Sequence, residues 1–221
     1  MSLIYINDVS ATLEPLPFRY CVIDNLWSLG LLTRVRDEFP GPSDPRWIRY
    51  GDPEHEEKLE GPSRMFGAAT RELVAAIEGT EKSIREAFGL PPMVLSTEGG
   101  GYHQTNPGGG LAIHADFNRT EDGLYRRINV IVYLNLLHEL PVGGDLELWD
   151  ADGPVAKVSP SFNRTLIFET HDASFHGHPK ALQGSQPRLS FAAYFFTPDR
   201  PENYSGAHST IWHPRGKRTP S

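Results

Sequence analysis

After Pro92 the chain breaks into short apolar runs punctuated by Gly, Pro, Asn and Asp, and this cadence limits the fold more than any other feature. Runs rich in Val, Ile, Leu, Phe and Tyr occupy 93–105, 110–116, 127–135, 145–149, 155–158, 164–169, 174–178 and 188–196. Short runs bounded by turn residues read as strands. About eight of them in succession predict a sandwich or jelly roll. The chain ahead of them reads as partly helical. Ser28 is placed to cap a helix with Leu32, Val35 and Phe39 on one stripe, closed by Pro40. Phe66, Ala69, Leu73 and Ile77 form a second amphipathic stripe. Thr80 is placed to cap a short helix that stops at Gly89. The charged, Pro-rich segment between 41 and 62 reads as surface loop. The expected fold is therefore mainly β with flanking helices.

The 221 residues suit one domain. Within it we expect a helical N-terminal part (1–92), a β core (93–198) and a C-terminal extension (199–221) whose basic end is loose. A core of this size needs no disulfide or structural metal. The single cysteine, Cys21, cannot form an internal bridge, which points to a reducing, cytoplasmic setting. The N-terminus lacks a basic region followed by an apolar core, and no apolar run is long enough to span a membrane. A net charge of −7 argues mildly against nucleic acid as a partner. Oligomeric state leaves no trace in the sequence.

Alternate strand side chains face opposite sides of a sheet, so parity tests what a motif alone does not. In 127–135, Ile128, Val130, Val132 and Leu134 form one wholly apolar face. Asn129, Ile131, Tyr133 and Asn135 form the other, and its polar groups need partners or a ligand if buried. In the last run, Leu189, Phe191, Ala193 and Phe195 oppose Arg188, Ser190, Ala192 and Tyr194. An arginine on a central strand calls for an anion. In "GGGLAIHADFN", His114 and Asp116 project side by side, able to take two adjacent positions on one ion. "SFHGH" puts His176 and His178 on one face, with His171 just upstream. Two imidazoles and one carboxylate make the facial triad of non-haem Fe(II) oxygenases. His-x-Asp alone is a weak signal, and His171, His176 and His178 all compete for the third position. The glycine runs 99–101 and 108–110 read as turn or bulge chemistry. "HEEKLE" lacks the second histidine of a zinc-protease motif.

Taken in order, "GGGLAIHADFN", "RRINVIVYLN", "GGDLELWD", "SPSFNRTLIFET", "SFHGHP" and "RLSFAAYFF" resemble the Fe(II)/2-oxoglutarate-dependent dioxygenases of the prolyl-4-hydroxylase-like branch. The entry segment "PFRYCVIDNLWSLGLLTRVRDEFP" resembles that group too, so the resemblance covers most of 17–198. It implies a double-stranded β-helix, a distorted jelly roll. It implies iron held by His114, Asp116 and His176, the last because it precedes Gly177. It implies Arg188 on the distal carboxylate of 2-oxoglutarate, with Ser190 and Tyr133 beside it and Asn129 and Asn118 in the pocket. Lys180 is the alternative anchor. Fe(II), 2-oxoglutarate and O2 would be needed, with ascorbate as a candidate reductant. The presence of Asp116 favours hydroxylation over halogenation. The products would be succinate, CO2 and a hydroxylated prolyl, amino-acid, peptide or small-molecule substrate. Specificity would lie in 41–64, 117–126 and 200–214, which contain Trp47, Arg49, Tyr50, Arg119, Tyr204 and Trp212. The alternatives are a cupin-like metal enzyme without 2-oxoglutarate and a non-catalytic jelly-roll binding module.

Overall fold

The apolar runs become strands of one curled antiparallel sheet, described for residues 2–202 and 204–219 in a computed structural model. The strands after Pro92 are β6 (Val94–Thr105), β7 (Gly110–Ala115), β8 (Tyr125–Tyr133), β9 (Leu146–Trp149), β10 (Pro154–Val158), β11 (Arg164–Glu169), β12 (Phe175–His178) and β13 (Arg188–Thr197). Before them come β1 (Ser2–Ile6), β2 (Val9–Leu13), β3 (Tyr20–Asp24), α1 (Leu29–Asp37), β4 (Ile48–Asp52), β5 (Glu56–Gly61), α2 (Ala68–Glu78) and α3 (Glu81–Phe88). A short β14 (Ile211–Trp212) lies in the tail. The main path runs β10-β9-β12-β7-β5-β6-β13-β8-β11-β3 and nearly closes on itself as a double-stranded β-helix.

Strand parity sorts the two faces as alternation requires. Ile128, Val130, Val132 and Leu134 of β8 and Phe191, Ala193 and Phe195 of β13 join one buried cluster with Leu32 and Val35 of α1, Leu73 and Ile77 of α2, and Ile84 and Phe88 of α3. The helices thus cover the outer face of the sheet. The opposite face of the same strands turns into the cup, where Tyr133 packs with Leu146, Leu148, Leu166 and Phe168. Ser28 caps α1 by accepting from the Leu31 amide, and Gly89 ends α3 in the left-handed region at φ 61°. Thr80 precedes α3 but makes no capping bond; its hydroxyl donates back to the Ile77 carbonyl at 2.6 Å.

The segment 1–92 is not simply helical, because its described residues supply five strands, β1 to β5. β1 and β2 form a separate hairpin turning on Asn7 and Asp8, both at positive φ (47° and 64°), as a tight two-residue turn demands. The charged stretch expected as loop is the β4–β5 hairpin. Its sequence has little intrinsic strand preference, and β5 is held in place by pairing with β6 and β7. The tail is also fixed rather than loose over its described length. β14 pairs with β7, Ile113 donates its amide to the Gly216 carbonyl at 2.8 Å, and Arg218 pairs with Glu57 at 3.0 Å.

Candidate active site

β7 and β12 lie antiparallel, and their register sets His176 directly opposite His114. Gly177 permits the approach. A Cβ there would sit 2.6 Å from the Ala112 carbonyl oxygen, a contact that only backbone movement could relieve. Both rings are buried, and both are oriented by the same local bond. His114 Nδ1 lies 2.9 Å from the Ala112 carbonyl and His176 Nδ1 lies 2.9 Å from the Ser174 carbonyl. A carbonyl only accepts, so each Nδ1 carries the proton and each Nε2 keeps its lone pair. These two Nε2 atoms face Asp116, at 3.5 Å from Oδ1 and 3.5 Å from Oδ2 respectively. One ligand atom from each of the three residues falls within 4.8 Å of the others. Lone pairs that converge in this way repel one another unless a cation lies between them. The donor set, two imidazole nitrogens and one carboxylate, fits ferrous iron.

Asp116 is held from behind. Asn129 donates Nδ2 to Oδ2 at 2.8 Å, and Arg126 Nη2 lies 3.1 Å from the same oxygen. Arg126 also donates Nε to Asn129 Oδ1 at 2.8 Å, and its guanidinium lies 3.5 Å from the centroid of the Tyr194 ring. Burial opposes ionisation of Asp116, but Arg126 and the two histidines outweigh it and keep the carboxyl well below its usual range. Strict alternation would send Arg126 to the helix side with Ile128. A register break between β8 and β13 prevents this, since Phe195 pairs with Ile128 and Phe196 with Arg126, leaving Arg127 unpaired. The bulge re-aims Arg126 into the cup, which is why period-two counting misses it.

The other end of the cavity is built from β13, β6 and β8. Arg188, 5% exposed, donates Nε to the Gly144 carbonyl at 2.9 Å and Nη1 to Ser190 Oγ at 3.2 Å. Its guanidinium lies 5.0 Å from the Tyr133 ring centroid. Among the described residues no carboxylate stands within ion-pair distance of it. Three more polar atoms here are buried and unpartnered: Tyr133 Oη, His178 Nδ1 and His103 Nε2. Burial pushes the Tyr133 phenol up and both of these histidines down, His103 to about 3. A buried guanidinium beside orphaned hydrogen-bonding groups fits a carboxylate of a small acid. The cavity joining the two ends measures about 190 Å³ and is lined from both sides, by His114, Asp116 and His176 and by Arg188, Ser190 and His103.

The remaining expectations separate cleanly. His178 also faces the cavity, but the bulge in β12 sets it opposite Leu111, with Nε2 3.5 Å from Thr105 Oγ1 and away from the carboxylate cluster. His171 is exposed on the turn before β12, where its backbone amide bonds Ser174. Lys180 is exposed outside the cavity. Asn129, expected beside the co-substrate, spends its carboxamide on Asp116 and Arg126. Asn118 ties down the tail, donating to the Gly206 carbonyl at 2.9 Å and accepting from the His208 amide at 3.1 Å. Of the specificity candidates, Tyr50 and Trp212 line the cavity, while Trp47 is core and Arg49 bonds the Pro42 carbonyl at the surface. Lys58, Glu60, His103 and Thr105 line it unforeseen. Lys58 and Glu60 were hidden inside an apparent loop. His103 and Thr105 share one face of β6, a parity that would have found them.

Residues 100–196 match the family model described as the 2OG-Fe(II) oxygenase superfamily. Among curated proteins, the chain is 34% identical over 87 residues to prolyl 3-hydroxylase OGFOD1 of Mus musculus. That match covers 36% of this chain and 16% of the relative's length. Among solved structures, a Pseudomonas putida prolyl-4-hydroxylase superposes with a TM-score of 0.58 at 17% identity, over 80% of this chain and 91% of the other. A Trichoplax adhaerens prolyl hydroxylase, solved with a hypoxia inducible factor peptide, gives 0.61 at 19% identity, over 80% and 83%. At these identities the two superpositions establish the shared fold.

Proposed function

Because residues 100–196 match the 2OG-Fe(II) oxygenase superfamily model, we propose that this chain is a member of that superfamily and an Fe(II)- and 2-oxoglutarate-dependent hydroxylase. His114, Asp116 and His176 would hold the metal, and Arg188 with Ser190 would hold the far carboxylate of the co-substrate. The observation that carries this reading is one cavity with two unlike ends. One end gathers lone-pair donors around a point, and the other presents a buried guanidinium that has no acid of its own. A cupin-like enzyme without 2-oxoglutarate has no use for that cation, and a purely structural role leaves it unexplained.

The chemistry the bound iron and 2-oxoglutarate supply is oxidative decarboxylation to succinate and CO2, coupled to insertion of one oxygen atom of O2 into a substrate C–H bond. The chain's own residues position and exclude. The backbone carbonyls of Ala112 and Ser174 fix the imidazole tautomers, so neither Nε2 needs to lose a proton before binding metal. Arg126 and Asn129 keep Asp116 ionised and aimed. The bond from Arg188 to the Gly144 carbonyl fixes the direction of the guanidinium, which sets how far an acid reaching it extends toward the histidines. Phe168 packs on His176 at 4.7 Å between ring centroids, and Trp212 on His114 at 5.4 Å, which keeps bulk water off the outer ring faces. The relatives this chain resembles are prolyl hydroxylases, and a prolyl or other amino-acid-like substrate is within the same proposal.

The direct test uses 2-oxoglutarate labelled at C1. Iron-loaded protein in air is expected to release the label as CO2, and His176→Ala is expected not to. Retention of the label by the wild-type protein, with or without candidate substrates, would contradict the assignment.

A further inference from the structure

The charged groups that face the cavity almost all cancel in pairs. Asp116 is matched by Arg126 at 3.1 Å, and Lys58 Nζ lies 3.3 Å from Glu56 Oε2. Two are left, of opposite sign and at different places: Arg188 and Glu60. Glu60 is 6% exposed, on β5, in direct register with His103 on β6. Its only side-chain hydrogen bond among the described residues is to Tyr50, whose hydroxyl donates to Oε2 at 2.9 Å. Among the described residues no cation stands within ion-pair distance of it. Lys58, two residues away, is drawn to Glu56 and lies over the Tyr50 ring at 5.0 Å.

Glu60 lines the same cavity as the three metal donors and Arg188, and the register through His103 to Ser190 sets it across the sheet from the β13 wall. After burial itself, its charge raises the pKa of Tyr50, and together with Asp116 it raises that of Tyr194, the ring that carries Arg126. On the opposite face of β5, a Cβ on the next residue, Gly61, would come within 2.8 Å of Trp47 and 2.9 Å of Tyr102, so the strand is packed closely against the core on its outer side. A buried carboxylate with one phenol for company is costly unless its ligand brings the counter-charge.

On the reading that this is an oxygenase with Arg188 committed to 2-oxoglutarate, we propose that Glu60, held by Tyr50, receives a protonated amine or guanidinium of the hydroxylated substrate. The substrate class is then a small cationic compound, such as a free amino acid or polyamine, rather than a neutral prolyl residue inside a peptide. Glu60 acts as a specificity residue, fixing one end of the substrate so that a C–H bond at a set distance meets the metal.

The test uses wild-type protein loaded anaerobically with Fe(II) and 2-oxoglutarate. The probes are cadaverine, L-lysine and L-proline, each against its fully N-acetylated form, with binding read by saturation-transfer NMR and by perturbation of the metal-to-co-substrate absorption band. At least one cation is expected to bind about tenfold or more tightly than its acetylated partner. That preference is expected to vanish in Glu60→Gln and to weaken in Tyr50→Phe, which leaves the carboxylate in place should the first variant fold poorly. Equal or absent binding of cations and neutral forms by protein that does take up 2-oxoglutarate would overturn the proposal alone. So would a preference that survives in both variants. Failure of the wild-type protein to take up 2-oxoglutarate would overturn the oxygenase reading, and this one with it.

Discussion

The two ends of the cavity differ in what the protein supplies for itself. Around Asp116 nearly every group is partnered: Asn129 and Arg126 bond the carboxylate, and backbone carbonyls hold both imidazoles. Around Arg188 the protein leaves a buried cation without an acid and three polar atoms without partners. The first end is built so that its geometry precedes the ligand, and the second so that its energetics are completed by one. The contrast suits a metal, whose donors must be placed accurately, and an organic acid, which brings its own oxygens to satisfy waiting donors.

The largest effect should come from breaking the first end outright. His176→Ala removes one of three donors. Iron retained after anaerobic loading and desalting is expected to fall by more than the 10–100-fold typical of losing an outer partner. Metal analysis showing full occupancy would remove His176 from the set. Breaking the second end should act differently. Arg188→Ala is expected to keep its iron while 2-oxoglutarate affinity falls by about 2–5 kcal/mol, the usual loss when a buried charge pair is truncated. Calorimetric titration measures this, and Arg188→Lys should recover only part of it.

Arg126→Met removes the cation and leaves the three donors, so iron affinity should drop about 10–100-fold with no change in donor number. A drop of that size would show that the carboxylate depends on a residue that simple strand alternation assigns to the opposite face. The smallest effect concerns protons. His103 titrates at about 3 when folded against about 6.5 unfolded. Below pH 6.5 the unfolded chain therefore binds a proton that the folded one refuses, and stability falls with pH down to about 3, by at most about 1.4 kcal/mol per pH unit. His103 is partly open to the cavity, so the true slope is lower. In metal-free protein, His103→Phe is expected to reduce the stability lost between pH 7 and 5 by about 1–2 kcal/mol. Denaturant titrations at the two pH values check it, and an unaltered difference would contradict it.

Much of this site was legible because strands have a period of two. His114 beside Asp116, and Arg188 beside Ser190 with Tyr133 across from them, follow from alternation along apolar runs whose ends are marked by turns. What was not legible has specific physical causes. Arg126 enters through a bulge, which shifts parity by one and leaves no sequence mark of its own. Glu60 and Lys58 lie in a hairpin whose charged residues have little strand preference, so their structure comes from neighbours far along the chain. The tail's attachment depends on Gly216, where a Cβ would come within 2.3 Å of Ile113, a fit that only the folded sheet reveals. Asn129 lines the cavity as the resemblance implies, but its carboxamide is taken up by Asp116 and Arg126, while Asn118 lies outside the cavity lining and ties down the tail; hydrogen bonding decides what a carboxamide is free to do.

The two ends meet in one cavity, and one anaerobic titration addresses both. Adding 2-oxoglutarate to Fe(II)-loaded wild-type protein should produce a visible charge-transfer band. The band should be absent in His176→Ala and displaced to much higher 2-oxoglutarate concentration in Arg188→Ala. A wild-type protein that binds iron but shows no band, or a band unmoved by either substitution, would contradict the account.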